Sequence, residues 1–166
     1  MRRAARTRLV LIDDHLVVRE GLAALLSIEP DLKVVGMAAS IGEGIQVIRE
    51  VEPDLVLSDL TLPGCSGGAA VRSLCEVFPG IRILVLTVHD SLETVRAAFG
   101  AGATGYVCKD SLRDEMLYAI RRVAAGGRAT CFAVGDAIVR DWLERDRGGQ
   151  RKVNTPLSAE DEEVLR

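Results

Sequence analysis

Residues 9–16 read LVLIDDHL, four apolar residues followed by two adjacent carboxylates and a histidine. The apolar run is typical of a strand that is buried on both faces of a sheet. Asp13 and Asp14, at the end of that run, repel each other by about 4 kcal/mol at about 4 Å if the effective dielectric constant is about 20. The pair therefore indicates a compensating positive charge, which a divalent cation would supply.

Four more aliphatic runs follow along the chain. Together with the first they predict strands over residues 8–12, 33–38, 54–58, 82–87 and 104–107. Helix-length stretches with apolar residues three and four apart separate the runs, one of them after a predicted Ser40 cap. Five strands alternating with five helices predict an open, doubly wound α/β fold, a parallel sheet with helices on both faces.

Composition narrows the class of protein. The 166 residues are 48% hydrophobic but only 4% aromatic, which suits one domain with an aliphatic core and an appended segment. No apolar run approaches the roughly 20 residues that cross a bilayer, so we expect a cytoplasmic protein with no membrane attachment. Four cysteines without a CxxC pair indicate reduced thiols and no zinc site. Residues 9–139 carry 11 basic and 17 acidic side chains, which argues against a nucleic-acid surface on this region.

The predicted strand ends carry polar side chains of three kinds. In an open parallel sheet, sites form at the carboxyl ends of the strands. Those ends present the carboxylates of Asp13, Asp14 and Asp59, the Thr87 hydroxyl and, just beyond the last strand, the Lys109 ammonium. Carboxylates grouped in this way can bind Mg²⁺. A carboxylate beside that ion can attack phosphorus and form an acyl phosphate.

Asp59 is the best-placed nucleophile of the set. It begins the stretch DLTLPGCSG, in which Thr61 offers a backbone carbonyl to the metal and Pro63-Gly64 predicts a turn that holds the loop. The three equatorial oxygens of a transferring phosphoryl group need positive or hydrogen-bonding partners. Thr87 and Lys109 are the candidates for that role.

Four motifs resemble the receiver domains of bacterial two-component response regulators. They are LIDDH, LSDLTLPGCSG, LVLTVHD and GYVCKD, in this order and at these separations, and the resemblance covers residues 8–127. It implies a flavodoxin-like fold, with Asp59 as phosphoryl acceptor and with Asp13 and Asp14 joining Asp59 in the Mg²⁺ set. It further implies that Thr87 is the switch hydroxyl, that Lys109 contacts the phosphoryl group, and that the Tyr106 ring reorients on activation.

The stretches HLVVREGLAALL, DLTLPG and AGATGYVCKD look most like the NarL/FixJ group, whose output is a LuxR-type helix-turn-helix. The final LSAEDEEVLR resembles the opening of that output domain. We therefore expect a receiver over residues 8–127, a linker with an amphipathic helix over 128–156, and the truncated start of the output domain over 157–166. The implied partners are a sensor histidine kinase, DNA through the missing output domain, and a second copy of the chain on phosphorylation.

Two other functions remain open at this point. One is a metal-dependent phosphohydrolase with an aspartyl nucleophile, although such enzymes usually resemble DxDx[TV] after the first strand, and here the carboxylates are adjacent. The other is an interaction module that works without phosphorylation, although an unused carboxylate cluster is costly to keep together. We favour a switch that is not an enzyme in the usual sense: it phosphorylates itself from a phosphodonor and slowly loses the group.

Overall fold

The computed structural model describes residues 5–89 and 91–150. The strands are β1 (Thr7–Ile12), β2 (Leu32–Ala38), β3 (Leu55–Asp59), β4 (Ile83–Thr87), β5 (Gly105–Cys108) and β6 (Ala129–Thr130). The helices are α1 (Leu16–Ser27), α2 (Ile41–Val51), α3 (Ala69–Val77), α4 (Leu92–Ala101), α5 (Arg113–Ala124) and α6 (Phe132–Gln150). The chain divides into two compact units between Val134 and Gly135. The predicted output segment, residues 157–166, lies outside the described residues.

All strands of the sheet run parallel, in the order β2-β1-β3-β4-β5-β6, with helices on both faces. The predicted doubly wound α/β fold is therefore confirmed. The strand order changes direction between β1 and β3, which makes the crevice beyond their carboxyl ends the topological switch point. Asp13 follows β1 and Asp59 ends β3, so two of the predicted site residues flank that crevice.

The strands form the centre of the hydrophobic core. Every residue of β3, β4 and β5 is buried, as expected for strands that are covered on both faces. Among the described helices, α5 contributes the largest buried set, which comprises Met116, Leu117, Ala119, Ile120 and Val123. The side chains at the carboxyl ends of these strands are therefore attached to well-packed, buried backbone.

Local signals in the sequence account for several helix ends. The Ser40 hydroxyl accepts a hydrogen bond from the Glu43 amide at 3.2 Å, which confirms the predicted cap of α2. Gly102 ends α4 with a φ of 115°, and a Cβ there would lie 2.8 Å from Cys75 Sγ. Only glycine meets both demands, so this residue stops the helix for steric as well as conformational reasons.

The predicted strand boundaries agree with the observed ones to within one residue, but the sheet has six strands instead of five. The additional strand, β6, is two residues long and pairs Ala129 with Gly105 and Thr130 with Tyr106. Two residues are too few to produce a periodic pattern, so the sequence carried no signal for it. The amphipathic helix predicted within residues 128–156 corresponds to α6, which continues to Gln150. That these residues form a linker stays a prediction. No helix among the described residues is long and apolar enough to cross a membrane.

Candidate functional site

An ammonium group joins two buried carboxylates at the switch point. Lys109 Nζ lies 2.5 Å from Asp13 Oδ2 and 2.8 Å from Asp59 Oδ2. Asp13 is 3% exposed and Asp59 is 5% exposed, while the Lys109 side chain is 15% exposed. The structure thus brings together three of the predicted site residues from the ends of three different strands.

The electrostatics of this group favour a charged lysine. Burial disfavours the ammonium, but the hydrogen bonds to Asp13 and Asp59 outweigh it, and the pKa of Lys109 lies above its ordinary value. The lysine is therefore protonated at neutral pH. Its charge compensates Asp59 and Asp13, so a lysine supplies part of the positive charge that the adjacent Asp13 and Asp14 indicated.

The second carboxylate of the acidic pair has a different partner. Asp14 is exposed, and its Oδ1 lies 3.0 Å from His15 Nδ1, which is also 3.3 Å from Asp13 Oδ1. The His15 amide donates to Asp13 Oδ1 at 2.8 Å. His15 was not among the predicted metal ligands, and the structure places its imidazole between the two carboxylates.

The donor set can hold a hard divalent cation. One ligand atom from each of Asp13, Asp14, His15 and Asp59 lies within 4.8 Å of the others. Carboxylate oxygens dominate the set, and they are the ligands that Mg²⁺ prefers. Thr61 also belongs to this neighbourhood, because its amide donates to Asp59 Oδ1 at 3.1 Å. The backbone after Asp59 therefore folds back over the carboxylate, as an Asx turn does.

Arg19 supports the acidic loop in a way that the sequence did not suggest. This residue of α1 donates from its Nη1 atom to the main-chain carbonyl of Asp13 at 2.5 Å. The contact fixes the peptide that carries the buried carboxylate. Arginine in the first helix after a strand is too common to be a signal of such a role.

Thr87 and Tyr106 meet through the backbone of one residue. The Thr87 hydroxyl, fully buried at the end of β4, accepts from the His89 amide at 3.3 Å. The carbonyl of His89 accepts from the Tyr106 hydroxyl at 2.7 Å. His89 lies two residues after Thr87, and this spacing is typical of a turn in which a threonine hydroxyl binds a backbone amide. That spacing is the one sequence signal that could have pointed to the contact between Thr87 and His89.

Tyr106 is fully buried in the hydrophobic core. The Lys109 amide donates to the Thr87 carbonyl at 2.8 Å, so the carboxyl ends of β4 and β5 are held together. Thr87 and Tyr106 both hydrogen-bond to the backbone of His89. The switch pair named from the sequence is thus adjacent in space. Its movement stays a prediction.

A separate ion-pair cluster joins α5 to the loop before β2. Arg121 contacts Asp31 at 2.8 Å and Glu29 at 2.7 Å, and Arg113 also pairs with Glu29. The hydrogen bond from Arg121 lowers the pKa of Asp31 and contributes to a raised pKa of Arg121 itself. Asp31 precedes β2, so this cluster lies at the amino end of that strand and not among the site residues.

Comparisons with known proteins agree with this geometry. Residues 9–121 match the family model described as the response regulator receiver domain. The oxygen regulatory protein NreC of Staphylococcus haemolyticus is 33% identical over 162 residues, covering 95% of this chain and 75% of that protein. The nitrate/nitrite response regulator protein NarL of Escherichia coli K12 is 33% identical over 158 residues, covering 95% and 73%.

Solved structures give the same result. A LuxR-family two-component response regulator from Aurantimonas sp. SI85-9A1 superposes with a TM-score of 0.80 at 39% identity, covering 84% of this chain and 99% of that one. The signal receiver domain of the putative response regulator NarL from Mycobacterium tuberculosis superposes with a TM-score of 0.68 at 32% identity, covering 74% and 98%.

Proposed function

Because the chain belongs to the response regulator receiver family, in its NarL-type branch of transcription regulators, we propose that it accepts a phosphoryl group on Asp59 from a sensor histidine kinase. One observation carries the proposal: Lys109 Nζ binds Asp13 and Asp59 together, at the switch point of the sheet. A buried carboxylate with a cation fixed beside it is prepared for attack on a dianionic phosphoryl group.

The transfer needs no reactant besides the phosphorylated histidine of the kinase, Asp59 and one proton. An oxygen of the Asp59 carboxylate forms a bond to phosphorus while the bond between phosphorus and the kinase imidazole breaks, and the imidazole keeps the electron pair and takes up a proton. Lys109 neutralises charge on the phosphoryl oxygens. The Thr87 hydroxyl accepts from the His89 amide and so still has its own proton to donate to a phosphoryl oxygen.

The proposed metal is Mg²⁺, held by the carboxylates of Asp13, Asp14 and Asp59 and by the main-chain carbonyl of Thr61. When bound, it would neutralise charge that builds up on the phosphoryl oxygens during transfer. The clustering of the three carboxylates within 4.8 Å supports this set.

The output of the switch is control of transcription through a DNA-binding domain. We propose that residues 8–127 form the receiver and residues 128–156 the linker, with an output domain of the LuxR type beginning at residue 157. The route from Asp59 to the output runs through Thr87 and Tyr106, and phosphorylation promotes a homodimer. We propose that the protein is cytoplasmic, because its output acts on DNA.

The test is intact-mass measurement after incubation with acetyl phosphate and Mg²⁺. We expect one added phosphoryl group in the native chain and none in Asp59→Asn. The matched control is Asp114→Asn, which changes an exposed aspartate of α5 and should be labelled like the native chain. Equal labelling of Asp59→Asn would contradict the assignment.

The same samples distinguish a switch from an enzyme. We expect one stoichiometric phosphorylation followed by slow loss of the group. Sustained release of inorganic phosphate from a phosphomonoester, over many turnovers, would instead identify a phosphohydrolase. Unchanged mass and unchanged spectra under all phosphodonors would indicate an interaction module that works without phosphorylation.

A further inference from the structure

Two cysteines that play no part in the proposed phosphoryl transfer lie in contact. Cys108 Sγ and Cys131 Sγ are 3.5 Å apart. Both residues are buried, with 6% and 1% exposure, and the other two cysteines, Cys65 and Cys75, are only partly buried. Twenty-three positions separate the contacting pair in sequence, so tertiary structure alone brings the two sulfur atoms together.

The backbone around the pair holds both residues in place. Cys108 is the last residue of β5, immediately before Lys109, and Cys131 lies between β6 and α6. The Cys131 amide donates to the Tyr106 carbonyl at 3.1 Å, which continues the pairing of β5 with β6. The Glu115 carboxylate accepts from the amide of Phe132, the first residue of α6. The cysteine pair therefore spans the junction between the receiver sheet and the beginning of the linker helix.

We propose that Cys108 and Cys131 form an intramolecular disulfide when the protein reacts with hydrogen peroxide. The peroxide oxidises one thiol to a sulfenic acid and releases water, and the second thiol condenses with it to give the disulfide and a second water. Two thiols and one hydrogen peroxide thus become one disulfide and two waters. Cys108 is the first to react, because it is the more exposed of the two.

The movement that bond formation requires is small. A disulfide has a sulfur–sulfur distance of about 2.0 Å, so the two atoms must approach by about 1.5 Å. Rotation about χ1 of either cysteine can contribute to this approach. Strand β6 can contribute the remainder, because it is two residues long and lies at the edge of the sheet.

The bond would close a loop that contains α5 and would tie β6 to β5 covalently. The cross-link would hold β6 against β5, so local opening of this short edge strand should become rarer. Amide hydrogen exchange in β6 and at Cys131 should therefore slow. Oxidation would thereby stiffen the beginning of the linker helix. This modification is independent of the phosphorylation of Asp59, and its test does not involve a phosphodonor.

The test uses the Cys65→Ser/Cys75→Ser variant, which retains only the pair in question. After treatment with hydrogen peroxide and removal of excess oxidant, we expect thiol titration to fall from two groups to none and the chain to remain monomeric on non-reducing gels. Dithiothreitol should restore both thiols. The matched control adds Cys131→Ser, and its remaining thiol should give no internal link.

Peptide mapping of the native chain covers the case in which a cysteine variant folds poorly. Trypsin releases Cys108 in residues 97–109 and Cys131 in residues 129–140, and the oxidised chain should yield these two peptides joined. Joined peptides together with slower exchange at Cys131 support the proposal. Sulfinic or sulfonic acids on separate peptides, or links between different chains, would overturn it.

Discussion

The hydroxyl of Tyr106 donates a hydrogen bond to the carbonyl oxygen of His89 at 2.7 Å. The amide of the same histidine binds the Thr87 hydroxyl, so one residue of backbone joins the two predicted switch side chains. The bond gives the buried phenol a hydrogen-bond partner, and a buried polar group is costly when it lacks one. The loop after β4 therefore has its position set from two directions, by a strand-end threonine and by a tyrosine of the next strand.

Tyr106→Phe should destabilise the folded chain by about 1 kcal/mol, because it removes this hydrogen bond and keeps the ring that fills the core. Tyr118→Phe is the matched control, since Tyr118 is 64% exposed and should change stability little. Urea unfolding followed by circular dichroism measures both. Equal effects of the two substitutions would show that the contact with His89 contributes nothing.

Lys109→Met should cost roughly 3 kcal/mol in the absence of divalent cations, because it leaves the buried carboxylates of Asp13 and Asp59 facing each other without their shared cation. Adding Asp59→Asn to this variant should restore part of the loss by removing one of the two charges. A double-mutant cycle from urea unfolding measures the coupling. Strictly additive effects would contradict an ion pair between Lys109 and Asp59.

The same lysine predicts a pH dependence at the alkaline end. Its pKa in the folded protein lies above the ordinary value of 10.5, so the stability it contributes is fully present below that pH and is lost as the pH rises through the folded-state pKa. As the pH rises from about 10.5 through the folded-state pKa, the native chain should therefore lose stability relative to Lys109→Met. Contributions that the two proteins share cancel in the difference. A pH-independent difference would show that the ammonium is not the stabilising form.

Mg²⁺ should stabilise the native chain against urea in proportion to the logarithm of its concentration once the site is saturated. The Asp13→Ala/Asp14→Ala variant should lose most of this effect, because two of the three clustered carboxylates are gone. Asp114→Asn serves again as a control for the loss of surface charge. If the double variant responds to Mg²⁺ as the native chain does, the acidic cluster is not the metal site. Removal of the ion with a chelator should return the native chain to its metal-free stability.

Strands β1 to β5 could be predicted because each leaves a strong local pattern. Runs such as Leu9–Ile12 within β1 are apolar at every position, since both faces of a central parallel strand are covered, and the observed strand ends deviate from the predicted ones by one residue at most. Ser40 could be identified as a cap for a similar reason, because a cap acts on an amide only three residues away. Strand β6 left no such pattern, because its two residues are held by pairing with β5 and not by their own periodicity.

The candidate site likewise has features that the sequence predicts and features that it does not. Its residue types and their places at strand ends could be found from motifs, which is how Asp13, Asp59 and Lys109 were identified. Their contacts could not be found that way: Lys109 reaches Asp13 across 96 positions of sequence, and Arg19 and His15 joined the site without any local signal. The His89 backbone had one local signal, its spacing after Thr87, but its contact with Tyr106 spans 17 positions.

The sequence by itself therefore determined which segments are buried, where the chain turns and which chemical groups stand at the strand ends, because these depend on neighbours within a few residues. Tertiary structure decided which of those groups touch. The order β2-β1-β3-β4-β5-β6 sets the ends of distant strands side by side, and only that order makes one ammonium serve two carboxylates and brings Cys108 against Cys131. The physical reason is that side-chain contacts at a sheet edge depend on strand neighbours in space, which local periodicity does not encode.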